Sequence, residues 1–150
     1  MSHLQYLLAT GFYAGYSPVA PGTAGSLLAV IVLWFSIPSI PLFVYLILII
    51  IIFAIGVWTS SHVESQKGED PSIVVIDEIA GMMIALIACP VSIKNFFVAF
   101  LAFRLFDVTK PFPVDRAERL PSGWGIMLDD VLAGIYTFLL VQILLIINVL

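Results

Sequence analysis

Residues 129–150 read DDVLAGIYTFLLVQILLIINVL. From Val131 to Leu150 no side chain is charged, and roughly 20 such residues suffice for a helix to cross a bilayer core of about 30 Å. Asp129 and Asp130 stand directly ahead of that run, so two carboxylates are placed near a membrane surface. An unpaired charge beside apolar chain is costly, and such acids need a cation, a partner or an aqueous cleft. The stretch therefore predicts an integral membrane protein with a functional site at one end of its helices.

Composition supports that reading. The 150 residues are 61% hydrophobic, the mean hydropathy is +1.13, and the length suits one unit, residues 1–150. All six basic and ten acidic side chains fall between Glu64 and Asp130. The N-terminus lacks the basic region and small-residue cleavage site of a secretory signal peptide, so no cleavage is expected. A single cysteine, Cys89, precludes an intramolecular disulfide, and its apolar surroundings predict a packing role. A net charge of −4 with dispersed cations offers no footprint for nucleic acid.

Working back along the chain, Ser2 to about Tyr16 has apolar residues at helical spacing without filling a span, and predicts a helix lying in the interface. Pro18 and Pro21 interrupt it, and Gly22, Thr23, Gly25 and Ser26 predict flexible backbone and caps before a new helix near Leu27. That helix can run only to Ile37, because Pro38 and Pro41 enclose a turn, making it a short or partial first span. Leu42 to Ser61 is an uncharged spanning candidate, Glu64 to Ser72 a loop, Ile73 to Ile93 an apolar segment, and Phe96 to Phe106 a returning helix. The fold class is all-α, a polytopic membrane helical bundle. Counting crossings puts the motif before Leu27, the loop 62–73 and the loop 107–125 on one face. Lys67, Arg104, Lys110, Arg116 and Arg119 lie on that face and Lys94 on the other, so the positive-inside bias predicts a cytoplasmic site and an outward C-terminus.

Three stretches carry candidate chemistry. In Asp77-Glu78-Ile79-Ala80-Gly81 two acids precede small residues that permit close helix contact. Phe103-Arg104-Leu105-Phe106-Asp107-Val108-Thr109-Lys110-Pro111-Phe112-Pro113 puts Asp107 at a helix C-terminus, an unfavourable place for a carboxylate that a cation would relieve. There Lys110 offers a point charge to phosphate and Arg104 a planar fork. Gly125 to Gly134 repeats the first layout, with Asp129 and Asp130 ahead of Ala133 and Gly134. Helix-dipole compensation is the bland account of each acid pair, and snorkelling that of each cation. Two independent pairs favour a shared divalent cation, and oxygen-only ligands favour Mg²⁺. Ser17 to Ser26 offers either helix caps or an anion site at a helix start, with Thr23 and Ser26 as its hydroxyls. Trp124 suits an interfacial anchor, and His3 and His62 have no partner nearby in sequence.

Taken together, Ser17 to Ser26, Asp70 to Gly81, Phe103 to Pro113 and Leu120 to Gly134 resemble the phosphatidylglycerophosphatase A family. The most specific matches are Asp-Glu-x-x-Gly, Phe-Arg-x-x-Asp-x-x-Lys-Pro-x-Pro and Gly-x-x-x-Asp-Asp-x-x-Ala-Gly, in that order. The resemblance implies Mg²⁺-dependent removal of the terminal phosphate of phosphatidylglycerol phosphate in the bacterial inner membrane, leaving phosphatidylglycerol. It places Asp77, Glu78, Asp107, Asp129 and Asp130 on acidic motif positions, Arg104 and Lys110 on basic ones, and Asp70 on a further acidic position beside them. A mechanism fitting these residue types has the acids hold the metal, with Asp130 or Glu78 as base for an attacking water, or a carboxylate as nucleophile. Thr23, Ser26, Lys110 and Arg104 would bind the phosphate.

Two other classes compete. A membrane phosphotransferase acting on an activated lipid would spread aspartates along two successive turns, an arrangement missing here. A carboxylate-based ion carrier would place acids in mid-span, preferably in repeated halves, whereas these stay at segment ends.

Overall fold

The computed structural model describes residues 2–68 and 70–150. Among them the regular structure is helical, and three stretches are long and apolar enough to cross a membrane: Pro21–Ser39, Leu42–Lys67 and Gly123–Ile146. The protein is thus an all-α membrane bundle.

Helix α1 (Ser2–Ala9) is half the length that the N-terminal pattern predicts. It lies along the polar end of α3 (Leu42–Lys67), with Tyr6 edge-on to His62 at 6.3 Å. The chain then turns through Gly11, Phe12 and Tyr13, all at positive φ.

Helix α2 (Pro21–Ser36) starts six residues earlier than the expected start near Leu27. Pro21 is suited to a first helical position, where an N–H would have no partner and φ is already set. The glycines that suggest flexible backbone are instead contact points: a Cβ on Gly25 would stand 2.6 Å from Cβ of Val75. Thr23 and Ser26 lie inside the helix, and the Ser26 hydroxyl donates to the Gly22 carbonyl at 2.8 Å. Its sixteen residues extend about 24 Å, and the turn Ile37–Ser39 lengthens the apolar stretch to 19 residues, enough to cross.

Helix α3 runs to Lys67, beyond the expected end at Ser61. Gly68, at φ 96°, stops it in a conformation that costs glycine little.

The apolar run Ile73–Ile93 is where the expectation of a continuous span fails. Only α4 (Ile76–Ala85) is helical, and every residue of it except Ile79 is buried. Beyond it the chain turns through Ala88, at φ 52°, and Pro90 before Ser92 caps α5 (Ile93–Thr109) by accepting the Asn95 N–H. A helix that ends within apolar surroundings leaves carbonyls that water cannot reach. Three separate helices supply the donors. Tyr45 of α3 donates to Met83 C=O at 2.8 Å, Gln142 of the last helix to Ile87 C=O at 3.0 Å, and Asn95 of α5 to Pro90 C=O at 2.9 Å.

A four-residue helix, α6 (Val114–Ala117), precedes α7 (Gly123–Ile146). Helix α7 opens at Gly123 rather than at Asp129, and Gly123 N–H donates to Ser61 Oγ at 3.1 Å. The buried half-helix α4 packs closest on α7: a Cβ on Gly134 would lie 2.5 Å from the Gly81 carbonyl oxygen, and one on Gly81 2.7 Å from that of Asp130. Small residues thus let two backbones touch. Lys94 donates to the Val149 carbonyl, so the 86–92 turn and the C-terminus share one end. The acids of α4 and α7 meet at the other.

Candidate active site

Asp77 and Glu78 occupy the first turn of α4, and Asp130 the second turn of α7. The Gly81–Gly134 contact brings these turns together, and one carboxylate oxygen from each of the three residues lies within 4.8 Å of the others. All three side chains are buried. Asp77 Oδ1, Glu78 Oε2 and Asp130 Oδ2 are buried with no hydrogen-bond partner among the described residues. Three converging carboxylates, each with an unpartnered buried oxygen, form an arrangement that suits a hard, oxygen-seeking cation.

The other two acids expected as metal ligands stand at the rim, each held by a cation. Arg104 Nη1 lies 2.6 Å from Asp107 Oδ2, one turn along α5, and 3.7 Å from Glu78 Oε1. Lys110 Nζ lies 2.8 Å from Asp129 Oδ2 and 2.6 Å from Glu118 Oε1. The second oxygen of Asp129 accepts from the Asp130 N–H at 2.9 Å. Burial would lower the pKa of Lys110, but its hydrogen bonds to Asp129 and Glu118 outweigh that and raise it, so the ammonium stays charged. Glu118 has no precedent in the sequence reading. It lies eight residues past Lys110, across a proline turn and α6, where no helical spacing could signal the pairing.

Helix α2 closes a third side. A Cβ on Gly22 would stand 2.1 Å from Glu78 Oε1 and 3.1 Å from Arg104 Nη1, so any larger residue would displace those side chains. Ser26 is wholly buried, with its Oγ 3.5 Å from Arg104 Nη1. Thr23 sits in the same first turn, half-buried. Asp70 is exposed; with Glu64, Glu118, Arg119 and Asp129 it lines a polar cleft of about 450 Å³. Trp124 is half exposed and packs edge-on to Phe53 at 5.8 Å, as an interfacial side chain would. Cys89 is a free thiol buried in the core.

Acids on the short helix α4 and the membrane-length helix α7 thus meet, with two ion-paired cations, Arg104 and Lys110, nearby. A family model described as Phosphatidylglycerophosphatase A matches residues 7–145. The chain belongs to that family. A Bacteroides thetaiotaomicron protein, provisionally named a phosphatidylinositol-3-phosphatase, is 43% identical over 149 residues, covering 95% of this chain and 94% of the relative. Proteins named phosphatidylglycerophosphatase A from Escherichia coli and Haemophilus influenzae are each 38% identical. The first covers 90% of this chain and 80% of the relative, the second 91% and 85%. No solved structure matches the chain. As a member of this family the protein is an enzyme, a lipid phosphatase.

Proposed function

We propose that the protein hydrolyses the terminal phosphate monoester of phosphatidylglycerol phosphate, giving phosphatidylglycerol and inorganic phosphate, with Mg²⁺ as cofactor. The observation that carries this reading is the buried trio Asp77, Glu78 and Asp130, whose carboxylates converge, with Arg104 against Glu78 and Lys110 on the neighbouring Asp129. Those three residues would hold the ion. When bound, it supplies Lewis-acid polarisation of the phosphate and a more acidic water.

The chain's own groups do the rest. Arg104, held by Asp107 at 2.6 Å, reaches Glu78 of the trio at 3.7 Å. It binds a phosphate oxygen as charge builds in the transition state. Lys110, fixed by Asp129 and Glu118, does the same. The first turn of α2 contributes the Thr23 hydroxyl and free N–H groups to the anion, while Ser26 spaces α2 from Arg104. Water oxygen attacks phosphorus as the bond to the glycerol oxygen breaks. Asp130 or Glu78 takes the water proton, and the departing alkoxide is protonated from solvent. Asp70 lines the polar cleft together with Asp129 and tunes the approach to the site.

The basic residues at the acid end and Lys94 at the other favour an inner-membrane orientation with the site facing the cytoplasm. The test is phosphate release by the purified protein from phosphatidylglycerol phosphate, with Mg²⁺ and with EDTA. Phosphatidylinositol 3-phosphate is run alongside because of the name borne by the Bacteroides relative. Release that is strong with Mg²⁺, absent in EDTA and weak on the inositol lipid is expected; full turnover in EDTA would reject the metal.

A further inference from the structure

An apolar cavity of about 800 Å³ opens between α2, α3, α4 and the turn after α1. Its place relative to the acids gives it meaning. Helices α2 and α4 are pinched together at the site, where Gly22 meets Glu78 and Gly25 meets Val75. Beyond the pinch they diverge, and the cavity lies between them, lined on α4 by Ile79 and Met83 and on α2 from Leu28 to Ser36. Leu28 is six residues past Gly22, so the cavity begins about 9 Å deeper than the acid site along α2 and continues for about another 12 Å. Val32 in this wall is 54% exposed, so the cavity opens sideways toward lipid. At its head Phe12 and Tyr13 are largely exposed.

We infer that this groove receives one acyl chain of the phospholipid substrate while the phosphate sits at the trio, making Leu28, Val32 and Met83 determinants of chain preference. The assignment rests on the lipid-phosphatase reading above. Continuity fixes the occupant: the helices that form the groove also carry Gly22, Thr23, Asp77 and Glu78, and a lipid anchored there by its phosphate must lay its tails deeper along them. A bulk lipid would have no such anchor and no reason for residence.

The experiment compares phosphatidylglycerol phosphate carrying sixteen-carbon chains, in mixed micelles, with a six-carbon homologue. In the Val32→Trp protein the indole fills an outward-facing wall without displacing buried packing. KM for the long-chain lipid should rise about tenfold while the short-chain lipid is turned over as by the unmodified protein. Equal effects on both lipids, or none on either, overturn the groove assignment. A long-chain substrate with a photoreactive group near the acyl terminus gives an independent readout in the unmodified protein. Adducts on residues 28–36 or Met83 are expected, and adducts confined to the outer faces of α5 and α7 overturn it. Failure of the unmodified protein to release phosphate from either lipid would instead reject phosphatidylglycerol phosphate as substrate, and the groove assignment with it.

Discussion

Replacing Asp130 with Asn removes one charge from the trio while keeping its shape. Its oxygens approach those of Asp77 and Glu78 within 4.8 Å. At that separation two unit charges repel by about 3.5 kcal/mol for an effective dielectric near 20, an upper bound because proton uptake relieves part of it. Without metal the variant should therefore be more stable than the unmodified protein, since repulsion is relieved and no hydrogen bond of the missing oxygen is lost. With Mg²⁺ the order should reverse. An ion at a hundred times its Kd stabilises the folded state by about 2.7 kcal/mol, which raises Tm by about 5–10 °C for a chain of this size. The variant should lose most of that shift, and phosphate release should fall at least about 100-fold, equivalent to about 2.7 kcal/mol of barrier. Thermal melts in detergent, in EDTA and across a Mg²⁺ titration, read both effects on one preparation. A variant that keeps the full Mg²⁺ shift refutes the trio as the ion's seat. One that is less stable in EDTA refutes the picture of uncompensated charge.

Gly81→Ala sets a methyl carbon 2.4 Å from the Phe103 ring and 2.7 Å from the Asp130 carbonyl oxygen, so α4 and α7 must part. We expect a loss of about 1–3 kcal/mol in a melt and a larger loss of turnover, and unchanged kinetics would contradict the helix contact as the device that assembles the trio. Lys110→Met should lower kcat by about 10- to 100-fold. Because the Lys110 pKa is raised, its pairing contributes in full below the ordinary lysine value of about 10.4 and is lost only as pH climbs past it. The stability difference between the unmodified and Lys110→Met proteins should then stay level from about pH 7 to 9.5, and a decline in that window would contradict the ion pair. Tyr45→Phe leaves the Met83 carbonyl without its donor, which should cost about 1–3 kcal/mol of stability with phosphate release per folded molecule nearly intact.

Hydropathy made α3 and the body of α7 legible because an uncharged run of twenty residues has few other uses. It could not expose the break after Ala85, since Leu86 to Val91 is apolar whether helical or not. That break is held by Tyr45, Asn95 and Gln142, donors far away in sequence. Helix starts were misjudged for a related reason. Gly22 and Gly123 resemble breakers in isolation, but each lies where another element presses on the backbone, Glu78 on one and Val57 on the other. The acids stood out because nothing nearby in sequence neutralised them. Their division into a central trio and two rim pairs depended on where Arg104, Lys110 and Glu118 reach, which spacing does not encode.

The corrected start of α7 bears on why the acids are there. Had the helix begun at Asp129, both acid pairs would sit in first turns, where the helix dipole alone favours negative charge. Asp77 and Glu78 do sit there, and the dipole eases their burial. Asp130 does not. It is the eighth residue of its helix, 2% exposed, and one of its oxygens has no donor. The dipole fades beyond the first turn, and the nearby Lys110 is bonded to Asp129 and Glu118. Capping thus explains two members of the trio and leaves the third as an isolated buried carboxylate beside two others. A divalent cation removes that cost for all three at once, which is why Asp130, rather than either acid of α4, is the residue on which the metal proposal is most exposed to test.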